Sequence, residues 1–143
     1  MARWFHVRFA VFLVAVVGSL WGCAPQEALV PVTGKVMVDG KAMTTGNLSF
    51  RPDKAGGNAS LSEPHAEIGA DGTYTVITDK RKGAPVGKFF VLITADEGID
   101  PKNPSATPKS LLDRKYADPS NPILKVEVTA TPKDGQYDFD LKK

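Results

Sequence analysis

The feature that most constrains this chain is a two-residue rhythm. From Lys35 onward apolar and polar residues alternate over short runs, and turn residues such as Asp-Gly, Gly or Pro stop each run. Successive side chains point to opposite faces only on a β-strand, whereas an amphipathic helix needs a repeat near 3.6 residues, which the chain after residue 25 does not sustain. Lys35-Val36-Met37-Val38 puts both valines on one face, and Asp39-Gly40 follows at once, a pair that tolerates the positive φ of a tight hairpin. Asn47 to Arg51 turns Leu48 and Phe50 inward before Pro52, and residues 53–62 form a polar loop. A third strand spans His65 to Gly69. Asp71-Gly72 then turns the chain into Thr73 to Thr78, where β-branched and aromatic residues dominate.

After the charged turn Asp79 to Gly83, the segment Lys88 to Thr94 is apolar on both faces, as a central strand should be. Residues 96–122 contain Pro101, Pro104, Pro108, Pro119 and Pro122 and read as an ordered crossover around Leu111, Leu112 and Tyr116. Leu124 to Thr129 and Gln136 to Leu141 alternate on either side of a turn at 132–135. Val126 and Val128 face inward on one, and Tyr137, Phe139 and Leu141 on the other. About seven short strands at this spacing predict an all-β protein, a single Greek-key β-sandwich over residues 30–143. At 42% hydrophobic and 24% charged, the chain can build such a core and is too apolar for an extended disordered tail.

Residues 1–22 have another character. Arg3 and Arg8 are their only formal charges, and Phe9 to Val17 is an unbroken apolar run. This is the layout of a cleaved export signal. The uncharged stretch from Phe9 to Ala24 has 16 residues, short of the ~20 that a spanning helix needs. It ends in Leu20-Trp21-Gly22-Cys23, and Cys23 is the only cysteine of the chain. Leu20, Gly22 and Cys23 resemble the lipobox of bacterial lipoproteins, with Trp21 larger than the residue usual there. The resemblance implies cleavage between Gly22 and Cys23, acylation of Cys23, and a lipidated tether over residues 23–29. The expected location is the cell envelope, at the outer membrane or cell surface rather than the inner membrane.

Loss of Arg3 and Arg8 leaves 16 basic against 16 acidic residues, so the mature chain is formally neutral. Nothing in that balance points to a phosphate-backbone footprint or a polybasic membrane patch, and no nucleic-acid partner is expected. With a single cysteine there is no intramolecular disulfide, and strand pairing and the core must hold the exported domain.

A second resemblance runs through the mature part. Val32-Thr-Gly-Lys-Val-Met-Val-Asp-Gly-Lys, Leu48-Ser-Phe-Arg-Pro, Gly69-Ala-Asp-Gly-Thr-Tyr-Thr-Val and Gly83-Ala-Pro-Val-Gly-Lys-Phe-Phe-Val look like carboxypeptidase regulatory-like and transthyretin-like sandwich domains. Lys115-Tyr-Ala-Asp-Pro and Tyr137-Asp-Phe-Asp-Leu are similar to small bacterial surface lipoproteins built on that domain. The resemblance implies a noncatalytic β-sandwich module, and with strands that alternate and no compelling ligand cluster the domain is expected to fold as a monomer.

Residues for chemistry are sparse. No G-x-S-x-G or H-E-x-x-H is present, and His65 is the only histidine after residue 22. Glu63, His65 and Glu67 share one face of a strand, where they could converge on a divalent metal or simply meet solvent. Asp138 and Asp140 share another outward face, and Lys80-Arg81-Lys82 makes a basic turn. Tyr116 could offer its ring to a sugar or peptide, or anchor the crossover. The reading expects no enzyme and no cofactor. It expects a structural or protein-interaction module, held at the membrane through Cys23 and facing another envelope protein or a glycan. The alternative is a lipoprotein that binds a small ligand or glycan near the 96–122 crossover.

Overall fold

The computed structural model describes residues 26–98 and 101–143, so the signal segment, Gly22 and Cys23 lie outside the described residues. Within them the chain forms twelve strands: β1 (Leu29–Val30), β2 (Thr33–Val38), β3 (Lys41–Ala42), β4 (Asn47–Pro52), β5 (His65–Glu67), β6 (Thr73–Thr75), β7 (Ile77–Thr78), β8 (Arg81–Lys82), β9 (Ala84–Pro85), β10 (Gly87–Thr94), β11 (Leu124–Val128) and β12 (Phe139–Leu141). A single 3₁₀ turn covers Arg114–Tyr116. Seven strands have three residues or more, which is the number the alternation predicts. The other five are two-residue pieces that join turns to the sheets.

One layer is a six-stranded sheet in the order β11-β10-β4-β5-β7-β8; the other holds β12, β2 and β3, with β6 also paired to β2. In the first, β10 returns to lie beside β4, next to β5 and β7, which is the Greek-key order. The protein is an all-β sandwich. Strand β10 is central, pairing antiparallel with β4 through Val91 and Phe50 and with β11 through Phe89 and Val126. Its inner residues Phe89, Val91 and Ile93 are buried with Leu48 and Phe50 against Val36, Tyr74, Phe139 and Leu141 of the facing layer. The rings of Phe50 and Phe89 meet edge to face, with centroids 6.2 Å apart.

The Asp39-Gly40 turn forms as the dipeptide predicts, with φ of 50° and 77°. Three expectations need correction. The run Thr73 to Thr78 is not one strand: β6 pairs with β2, whereas β7 pairs with β5 and β8. Val76, fully buried between them, donates its N–H to Val32 and accepts from Gly83, so the chain changes layer there. A run of β-branched residues carries strand propensity but no information about which sheet receives it. Second, the basic turn is tighter than expected. Asp79 and Lys80 take the positive φ values, and Arg81–Lys82 is already strand, paired to Ile77–Thr78.

Third, regular pairing at the C-terminus begins at Phe139, not Gln136, and β11 and β12 are no hairpin. Strand β11 joins β10, whereas β12 runs parallel to β2, with Phe139 opposite Val36. The residues before β12 are held instead by turn bonds and by Asp138, whose carboxylate accepts the Lys35 N–H at 2.8 Å. Asp138 is thus a brace between segments and not the free surface carboxylate that the alternation suggests.

A tyrosine knot closes this corner. Tyr74 of β6 donates its hydroxyl to the Tyr137 carbonyl and stacks on Phe139, while the Tyr137 hydroxyl accepts the Thr129 N–H at 3.2 Å. Burial pushes the Tyr74 phenol well above its ordinary range, with the Asp138 charge adding to the effect. Gly34 of β2 makes the knot possible. A Cβ there would stand 2.3 Å from the Tyr137 carbonyl oxygen and 2.9 Å from the Tyr74 ring.

Candidate functional site

The crossover after β10 folds back on itself before it leaves the sandwich. The Leu111 N–H donates to Ala95, and Glu97 donates to Lys109, which sets the two arms side by side. Leu112 drops into the core, and Asp113 then starts the 3₁₀ turn by accepting the Lys115 N–H at 3.0 Å. The Lys115 ammonium also pairs with Asp113 at 3.0 Å, with both side chains substantially exposed. The Lys115 amide, and then its ammonium, hold the Asp113 carboxyl below the usual range; the Asp113 carboxylate in turn raises the lysine. In water an exposed pair of this kind fixes geometry more than it adds stability.

Tyr116 is spent on the fold. Its ring is buried, and its hydroxyl donates to the Lys142 carbonyl at 3.1 Å and accepts the Lys142 N–H at 3.0 Å. It therefore clamps the crossover to the C-terminal segment, and its ring is not offered to a ligand. Beside the clamp lies an open hollow of about 590 Å³, bordered by Asp96, Ser110, Arg114 and Asp118. Carboxylates and a guanidinium at its rim suit a polar ligand with hydroxyl or mixed-charge groups, while Ile93 and Leu112 supply an apolar floor.

Glu63, His65 and Glu67 are all exposed at the start of β5 and on it. His65 stands opposite Ser49 on one side and Ile77 on the other, and Glu67 opposite Asn47. The three acidic and imidazole groups are not brought together. Among the described residues no group of three or more metal-ligating side chains converges.

A second polar cluster lies at the end of the sandwich where the described chain begins. Asn58 and Ser60 are buried within the 53–62 loop. Asn58 donates to the Lys88 carbonyl at 2.8 Å and accepts the Ser60 N–H at 3.0 Å. Ser60 donates to the Glu27 carboxylate at 2.8 Å and accepts the Ser62 N–H at 3.1 Å. Arg81 reaches the Glu27 carbonyl from β8 at 3.2 Å. Two residues on, β1 pairs with β9, so the last residues of the segment expected to be a tether, from Glu27 to Leu29, are part of the folded unit. Nothing in the loop's sequence signals this, because Glu27 and Ser60 are 33 positions apart.

Searches against known proteins return no matching family model, no curated relative and no matching solved structure.

Proposed function

We propose that the chain is a bacterial lipoprotein whose carboxypeptidase regulatory-like or transthyretin-like sandwich acts as a noncatalytic, monomeric interaction module at the cell envelope, outer membrane or surface. One observation carries the reading: the sole cysteine closes the amino-terminal apolar run, four residues before Glu27, which Ser60 holds to the sandwich. Acylation at that position would hold the domain at the bilayer, since two long chains at about 0.8 kcal/mol per buried CH₂ supply on the order of 20 kcal/mol. The formal neutrality of residues 23–143 supports an anchor made of lipid and not of basic residues.

The test is Cys23→Ser in cells fed labelled palmitate. Wild type should take up label, fractionate with membranes and have the mass of a chain beginning at acylated Cys23. The variant should take up none and be released or remain as the uncut precursor. A variant still cleaved after Gly22 and still membrane-bound sinks the reading.

The hollow beside the crossover favours a second reading, in which the anchored domain binds a small ligand or glycan there; its volume falls within the range of small-molecule sites. Retention on a glycan array, against capture of a discrete envelope protein from the same membranes, separates the two.

A further inference from the structure

Among the described residues three large apolar side chains stand out of the surface: Leu61 at 89%, Val86 at 54% and Ile123 at 46% exposure. Single exposed apolar residues are ordinary. These are not evenly spread, because two of them flank the point where the amino-terminal segment joins the domain. Leu61 follows Ser60, the residue that holds the Glu27 carboxylate; Val86 follows Pro85, the partner of Leu29, and borders the same hollow as Glu27 and Ser60.

The exposure of Leu61 is built. Asn58 fixes the Ser60 amide, and the Ser60 hydroxyl fixes the Ser62 amide, so the backbone is held on both sides of Leu61 while its side chain is turned outward. That same hydroxyl donates to Glu27. One buried serine thus links the orientation of the exposed leucine to the exit direction of the amino-terminal segment.

Glu27 is four positions after Cys23, and an extended chain covers at most ~3.6 Å per residue, so the two Cα atoms are within about 14 Å of each other. The polar layer of a bilayer adds roughly 5–8 Å beyond the hydrocarbon on each side. From these distances, and resting on the lipid-anchor reading above, we infer that the end of the sandwich bearing Leu61 and Val86 is a membrane-docking face, with both side chains seated in the lipid interface.

The charges around it set the kind of contact. Glu27 and Glu127 stand against Arg81 and Lys88, which balance. Contact is therefore apolar insertion and does not require anionic lipid, in contrast to a polybasic patch.

The experiment uses the full chain, processed in cells, purified in detergent and reconstituted into phosphatidylcholine vesicles with or without bromine on the acyl chains. The only tryptophans are Trp4 and Trp21, so a chain cut before Cys23 has none, and a single introduced tryptophan reports alone. Leu61→Trp and Val86→Trp should each lose about half of their emission or more to brominated lipid, because an interfacial ring lies near the acyl chains. Thr94→Trp is an exposed site at the far end of β10, seven residues from Gly87 and about 23 Å away at the rise of a strand, and should be unquenched. Leu61→Asp added behind Val86→Trp should withdraw that reporter and restore its emission, which shows that Leu61 itself, and not the introduced ring, seats the domain.

An acylated protein that sediments with vesicles while Leu61→Trp and Val86→Trp stay unquenched overturns the docking face and leaves the anchor standing. Equal quenching at all three sites overturns it too. A mass showing an unmodified Cys23 overturns the anchor and the docking face together.

Discussion

Tyr74→Phe tests the tyrosine knot with the smallest possible change. The ring, its burial and its stacking on Phe139 remain; the hydroxyl that donates to the Tyr137 carbonyl is lost. A net hydrogen bond contributes about 0.5–1.5 kcal/mol, and a buried acceptor left without its donor costs about 1–3 kcal/mol, so a loss of roughly 1–2 kcal/mol is expected at pH 7. For a domain of this size that lowers the melting temperature by roughly 4–8 °C.

The same residue predicts a pH dependence with a definite sign. Burial raises the Tyr74 phenol above its ordinary value in the folded state, so the folded chain keeps a proton that the unfolded chain gives up. The contribution is full below about pH 10, where both states are protonated, and falls as pH rises toward the raised folded value, by up to about 1.4 kcal/mol per pH unit. At pH 11 roughly 1.4 kcal/mol should be gone from wild type and nothing from this source in Tyr74→Phe. The advantage of wild type at pH 7 should therefore nearly vanish by pH 11. Urea unfolding followed by far-ultraviolet circular dichroism at pH 7, 9, 10 and 11 measures the gap, and every other titrating group is common to both proteins. A gap that stays constant from pH 7 to pH 11, or no gap at pH 7, refutes the argument.

Three further substitutions probe the packing of the sandwich. Gly34→Ala should cost at least about 2 kcal/mol in the same urea assay, since the new methyl has no room between the Tyr137 carbonyl and the Tyr74 ring; a neutral result means that the two segments do not meet as described. Phe89→Ala should cost about 3–5 kcal/mol and Phe90→Ala clearly less, because Phe89 is buried whereas Phe90 lies half-buried on the outer face under Lys125, 5.0 Å from the ring; equal losses would contradict that assignment of faces.

Strand identity was legible where two local signals agreed. Leu48 and Phe50, Phe89 to Ile93, and the Asp39-Gly40 turn each combine alternation or an apolar run with the correct punctuation, and each is found as expected. Sheet membership was not legible. Val76 divides a continuous run of β-branched and aromatic residues between two layers, and β12 pairs in parallel with a strand about a hundred residues earlier, a pairing that no turn residue announces. Asp138 illustrates the same limit. Its alternation places it outward, correctly, yet its role depends on the Lys35 N–H, which only the parallel pairing of β2 and β12 brings near.

The candidate sites divide along the same line. Tyr116 could be read two ways because a lone aromatic in a proline-rich crossover suits either an anchor or a binding surface, and the Lys142 backbone decides for the anchor. Glu63, His65 and Glu67 share a face as period two requires, but sharing a face leaves side chains two residues apart separated along the strand, and convergence needs a further element to bend over them. The Ser60 cluster presents the opposite case. No motif marks it, yet burying Asn58 and Ser60 in a surface loop is unfavourable unless their polar atoms are bonded, and the partners that bond them are Lys88 and Glu27, from distant parts of the chain. A buried polar pair in a loop thus signals that something far away in sequence is being held; here it is the segment that leads to Cys23, and the bonds of Asn58 and Ser60 that hold it also fix the backbone on both sides of Leu61.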